Sequence, residues 1–300
     1  MGVSLTMLRA IALATRTRNI DFSNTVMLGR QEIFFTKEDF EFIRRRSGLS
    51  PSYGQDIAIG QFAEGLFRRF GANRAESIDA SAYEGASIVH DFNCPVPAEM
   101  HEKYTAFVDF GSMEHVYNVP QVVDNVARLL RIGGSAFIVS QANGYAGHGF
   151  YQFSPEFFYS VFCESNGFND TVVCLVDLQD SRRWFLIPEP RRIGGRNEIP
   201  QSRTYFIVCF ATKVRNVEQI RAQQSDYQDD AWTTSGHSHM GIHGASMFSK
   251  VRHLFNPFLF QNLRGSYYAA KTCRAFRRQT VRFDPDLVSA EEFCGLIARR

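Results

Sequence analysis

Glu114-His115 and His148 are the residues of this chain best suited to move a proton. A free imidazole has a pKa of about 6.5, so it can accept a proton from a hydroxyl or amine at neutral pH. His148 stands between Gly147 and Gly149 in a loop that also carries Asn143, Tyr151 and Gln152, donors and acceptors suited to a polar substrate. For Glu114 and His115 a second reading stays open, in which Glu114 braces the helix that follows and His115 packs beneath it. Asp79, Asp91 and Asp109 each close a short apolar run. An acid in that place can sit at the tip of a strand and accept hydrogen bonds from a ligand.

These residues need a frame, and the stretch around Glu114 supplies its pattern. Tyr104 to Asp109 reads as a buried strand, and Phe110 to Asn118 as a polar loop containing Gly111. Pro120 suits a first helical turn, and Val122, Val123, Val126, Leu129 and Leu130 recur at helical spacing up to a stop at Gly133-Gly134. Ser135 to Ser140 follows as a strand buried on both faces, as helices covering a parallel sheet require. Extending the pattern gives Thr25–Leu28 as first strand, with Gly29-Arg30-Gln31 in the turn after it. Ala75–Asp79 is the second strand and Ser87–Asn93 the third. Thr171–Val176 and Arg203–Ala211 form an antiparallel closing pair.

The fold class predicted is therefore α/β: a Rossmann-like, doubly wound, mostly parallel sheet of seven strands with an antiparallel last strand. Residues 1–213 form the main domain, with an N-terminal helix within 1–22. Its enlarged first connection, 32–72, holds helices after Thr36 and over Gln61–Phe70. Residues 214–300 form a mainly helical or irregular appendage. The separation of Gly29 from Asp79 is 50 residues, against about 20 in dinucleotide folds, and the inserted helices account for the excess. Gly60 as the first-strand glycine is the alternative register.

Three segments carry a resemblance to a known family: Glu114-His115-Val116, Leu129 to Gly134, and Ala142 to Pro155. Together they resemble the second half of the class I S-adenosylmethionine (SAM) dependent methyltransferases. The last segment is similar to a bacterial subgroup that modifies glycans and small metabolites, and the likeness spans roughly Thr25 to Lys213. It implies SAM as cofactor, with Gly29, Arg30, Asp79, Asp91, Phe92, Asp109 and Gly111 around it. It also implies methyl transfer to oxygen or nitrogen of a small polar acceptor, such as a sugar or glycan precursor. His148 or His115 would take the proton, and Asn143, Tyr151 and Gln152 would hold the acceptor.

The chain departs from the family at three points. Its first glycine motif is reduced to Gly29, Thr105 stands where an acid commonly opens the fourth strand, and Phe110 stands where related ubiquinone-pathway O-methyltransferases carry a further glutamate for a divalent ion. Hard cations want several oxygens, so no metal site is expected. The reduced motif keeps a second class of function open, an inactive methyltransferase-like scaffold in glycan or envelope assembly.

Composition bounds the rest. A net charge of +2 over 300 residues gives no global attraction for nucleic acid, and no nucleic-acid partner is expected. Six cysteines without a C-x-x-C pair read as reduced thiols in a cytoplasmic protein. Gly2 and Thr6 match an N-myristoylation pattern, while Leu5, Leu8, Ile11 and Ala12 share one helical face suited to packing on the body. The basic stretch Arg182–Arg196 reads as a phosphate-binding or solvated loop. His237, His239 and His243 match no zinc spacing. Residues 248–282 mix aromatic and basic side chains, fitting either peripheral membrane contact or a helix packed on the main body.

Overall fold

The structure is a computed structural model describing residues 2–50, 60–225 and 257–298. In chain order the elements are β1 (Gly2–Val3), α1 (Leu5–Thr17), β2 (Asn24–Leu28), β3 (Glu32–Ile33), α2 (Lys37–Arg46) and α3 (Glu64–Arg69). There follow β4 (Arg74–Asp79), β5 (Ile88–Val89), β6 (Tyr104–Phe110), α4 (Val119–Leu129), β7 (Leu130–Asn143), α5 (Pro155–Val161) and β8 (Phe168–Asp177). The remainder is β9 (Trp184–Ile187), α6 (Pro190–Ile193), β10 (Tyr205–Lys213), α7 (Pro257–Gln279), β11 (Val281–Phe283) and α8 (Ala290–Ala298).

Among the described residues nine strands form one sheet in the order β11-β9-β8-β10-β7-β6-β2-β4-β5, and β1 pairs with β3 in a separate parallel ribbon. The half from β7 to β5 is parallel. The other half is antiparallel, with β10 inserted between β7 and β8. The strands expected from sequence thus run 3-2-1-4-5, the order of a doubly wound nucleotide fold, and are closed by the antiparallel pair. The chain winds outward from β2 in one direction, then restarts at β6 in the other. A crevice opens at the tips of β2 and β6, where the direction changes.

Three corrections concern the sheet. It has nine strands rather than seven, because Trp184–Ile187 in the basic stretch is a strand and pairs on its outer side with Val281–Phe283 from the C-terminal region. Helix α4 stops at Leu129, and the next strand begins at once at Leu130, running through Gly133 and Gly134. A Cβ on Gly134 would lie 3.0 Å from the Tyr104 carbonyl oxygen, so glycine permits the close approach of two backbones there. The third strand is also shorter than expected, two residues only.

Alternating side chains feed two cores, one on each face. Met27, Val108, Phe137 and Val139 meet α1, α2 and α3, while Val26, Leu28, Phe107 and Ile138 meet α4 and α5. Thr36 and Asp39 form a reciprocal cap at the start of α2. Helix α1 packs on the body, and its burial exceeds one face: Arg9 is 6% exposed, with its Nε 3.1 Å from both carboxylate oxygens of Asp286. The C-terminal region is thereby tied to the N-terminal helix, and Phe283, Val288 and Phe293 complete that core. On the other face Phe276 of α7 packs against Phe185 and Tyr205. Among the described residues no helix is long and apolar enough to cross a membrane.

Candidate functional site

The strand tips place four of the expected residues in one row. Gly29, with φ of +71°, donates its N–H to the Ile78 carbonyl at 2.7 Å, which sets it beside Asp79. The His90 N–H donates to the Asp79 carbonyl at 2.8 Å, bringing Asp91 alongside. On the other flank a Cβ on Gly29 would lie 2.6 Å from Ser112 Oγ, so Gly111-Ser112 closes on the same glycine. Gly29 directly follows β2, the strand between β4 and β6, so the Gly29 register is the one the fold adopts, while residues 56–59 before Gly60 lie outside the described residues.

Sequence reasoning overlooked Gln31, which lies at the centre of this row. Its side chain is fully buried and donates through Nε2 to Leu28 O at 2.6 Å and Ser112 Oγ at 3.0 Å. Its Oε1 has no hydrogen-bond partner among the described residues. A buried amide oxygen left so costs about 1–3 kcal/mol, an arrangement that a ligand's donor would relieve.

Other expected cofactor residues are committed elsewhere. Phe92 is buried and stacked on Phe107, centroids 6.1 Å apart, so its ring faces serve the core. Arg30 turns to the inserted helices, pairing with Glu64 at 2.9 Å and lying 4.0 Å above the Phe62 ring. Asp109 is fully buried and accepts the Ser112 and Met113 N–H groups at 2.8 and 3.2 Å, which folds the loop beneath Glu114. Burial, and then the nearby Glu114 charge, raises the Asp109 pKa well above the ordinary carboxylate range. The exposed Asp91 accepts from Asn93, which lowers its pKa.

One tip along, at β6 and β7, the proton-handling candidates converge. His115 Nε2 and His148 Nε2 lie 3.1 Å apart although 33 residues separate them, and Glu114 offers a carboxylate oxygen to the same space. Glu114 is 3% exposed and accepts Ser140 Oγ at 2.8 Å. Burial raises its pKa, whereas burial and then the neighbouring His148 lower that of His115. Of the second reading for this pair, one part fails: the His115 imidazole is exposed and does not pack beneath the helix, while Glu114 is buried.

The loop that delivers His148 is latched from below by Gln141, a second residue that sequence reasoning passed over. Its Nε2 donates to the carbonyls of His148 and Tyr151, and Phe150 N donates to Glu114 O at 2.8 Å. Like Gln31, Gln141 is buried with an Oε1 that has no partner among the described residues. The three expected acceptor-binding side chains help hold this loop. Asn143 Nδ2 reaches Arg203 O at 2.7 Å, Tyr151 Oη reaches Tyr117 O at 2.8 Å, and Gln152 Oε1 accepts Tyr145 N at 2.9 Å.

Beyond Asn143, which pairs with Tyr205 across β7 and β10, a cavity of about 480 Å³ opens against α7. Arg183, Arg203, Arg277 and Arg282 line it, with Asp177 and Phe276. Asp177 is buried and paired with Arg203 and Arg183, leaving an excess of positive charge. His237, His239 and His243 lie outside the described residues, as does the first part of 248–282.

Comparison with models of protein families and with curated protein sequences finds no match. Among solved structures, the chain is similar to a putative methyltransferase from Bacillus halodurans, with 12% identity, TM-score 0.39, and coverage of 71% of this chain and 100% of that one. It is similar to the 1,6-didemethyltoxoflavin N1-methyltransferase of Burkholderia thailandensis, with 13% identity, TM-score 0.37, and coverage of 71% and 79%. A third is phosphoethanolamine N-methyltransferase 2 of Haemonchus contortus, with 12% identity and TM-score 0.38. There 64% of this chain is covered and 48% of the nematode enzyme, so the chain spans about half that protein's length.

Proposed function

We propose that this chain is a SAM-dependent methyltransferase acting on oxygen or nitrogen of a small polar acceptor. One observation carries the reading: Asp91, Asp79, Gly29 and Gly111 form a continuous row at the switch point of a doubly wound sheet, next to the paired imidazoles of His115 and His148. The residues in the row suit the cofactor's polar groups. Asp79 is half-buried, with one carboxylate oxygen accepting Ser81 N, and can take bonds from ribose hydroxyls. The orphaned Gln31 Oε1 is an acceptor for an ammonium or hydroxyl donor. Phe92 and Asp109, spent on core and loop, leave the adenine side to other residues.

SAM would supply a methyl group already activated by its sulfonium. The chain's own task is then to align the acceptor and receive one proton. The lowered pKa of His115 favours its neutral imidazole, and either exposed ring can receive that proton from a bound acceptor. Gln141 and Phe150 N fix the height of His148 over Glu114. The arginine-lined cavity beyond Asn143 gives room for an acceptor carrying an anionic group, and a sugar or glycan precursor in the cytoplasm is the acceptor we propose.

Calorimetry with SAM and its demethylated product tests the reading. Wild type should bind both, and Asp79→Ala should weaken each by roughly tenfold to a hundredfold, the worth of hydrogen bonds to a charged group. Folded wild-type protein that binds neither would favour the scaffold alternative.

A further inference from the structure

Glu114, His115 and His148 present one carboxylate oxygen and two imidazole nitrogens within 4.8 Å of one another. We propose that this trio holds one divalent ion of the zinc class, with at least one coordination position open to water or to an acceptor hydroxyl. The proposal does not depend on the cofactor reading and reverses the expectation of no metal drawn from Phe110. With an ion between them, a hydroxide at its open position, and neither imidazole, would receive the acceptor's proton.

The ring geometry carries the argument. Two nitrogens 3.1 Å apart, each about 2.05 Å from a shared ion, subtend an angle of about 98° at it, between the octahedral and tetrahedral values. The ring centroids are 4.7 Å apart. Imidazoles radiating from a common ion at that angle would have centroids about 4.8 Å apart, whereas a straight N–H···N bond between them would separate the centroids by about 5.4 Å. The nitrogens therefore converge on a point rather than facing each other end to end.

The surroundings are those of a ligand set. Ser140 Oγ anchors the Glu114 carboxylate through one of its oxygens. The Glu114 carbonyl is held by Phe150 N and the His148 carbonyl by Gln141 Nε2. Two nitrogen donors and one oxygen suit Zn²⁺ or Fe²⁺ better than Mg²⁺ or Ca²⁺, which prefer oxygen. Three protein ligands are the catalytic rather than the structural complement. One carboxylate against a divalent ion leaves a net positive charge, which favours a bound hydroxide or alkoxide.

The test uses the full chain, freed of metal with a chelator, in a background where His237, His239 and His243 are replaced by alanine. Zn²⁺ is titrated by calorimetry and Co²⁺ followed by its visible absorption. One ion per chain is expected. His115→Ala and His148→Ala should each weaken binding by about a hundredfold and abolish the cobalt bands, and Ser140→Ala should weaken it by about tenfold. Both histidines are exposed, so the variants should keep their fold, checked by circular dichroism. Asp79→Ala should leave zinc affinity unchanged. Folded wild type that binds no ion would overturn the proposal, because the imidazoles would then share only a proton. Binding that survives both histidine substitutions would overturn it equally. A chain that binds zinc but not SAM would refute the cofactor reading alone.

Discussion

Ser140 donates its hydroxyl to the Glu114 carboxylate at 2.8 Å, joining the last buried turn of one strand tip to the loop of its neighbour. Asp109 lies beneath that contact, so two buried acids share one small volume. Burial raises the pKa of each, and the native state therefore holds protons more tightly than the unfolded chain. Proton uptake by the native state makes stability fall as pH rises, from the ordinary carboxylate range through the raised native values. Urea midpoints measured between about pH 4 and about pH 8 should decline, and Glu114→Gln should flatten part of that slope. A midpoint independent of pH in wild type would contradict the assignment.

Gln141→Leu keeps the side chain's approximate volume while removing both donors to the loop carbonyls. The expected cost is about 2 kcal/mol, confined to the loop. Hydrogen exchange at Phe150 and Phe153, whose N–H groups bond to Glu114 O and Gln141 O, should accelerate while the strands stay protected.

Gly29→Ala would put a methyl group 2.6 Å from Ser112 Oγ at a φ of +71°. Strain of about 1–3 kcal/mol is expected in chemical denaturation, together with weakened SAM binding as the Ser112 loop shifts.

Asp286→Ala should cost about 3–5 kcal/mol, because Arg9 would remain buried without its counter-charge. Arg46 loses one of two acidic partners but keeps Asp284 at 3.0 Å. Asp286→Asn, which preserves an acceptor for Arg9, should cost less in the same urea titration.

The sheet's centre was legible because strands covered on both faces must be apolar at successive positions, as Tyr104–Phe110 and Ser135–Ser140 are. Trp184–Ile187 escaped notice because it is short, flanked by Arg182, Arg183 and Pro188, and paired outward to a strand far along the chain. Periodicity is local and cannot report such a partner. In the site, each histidine was recognisable by its chemistry, yet their contact was not, because it depends on Gln141 gripping two carbonyls from below. Phe92 misled for a simpler reason. An aromatic after a strand can face a ligand or the core, and the Phe107 ring decides for the core.

The pairing of β9 with β11 bears on how the molecule is made. The four consecutive apolar residues of β9 emerge during synthesis with one side already matched by β8, while the strand that shields the other side has yet to be translated. Until it appears, the nascent sheet presents a sticky margin that a neighbouring chain can occupy. Shielding by a trailing segment makes a later-built strand the fold's guard against aggregation.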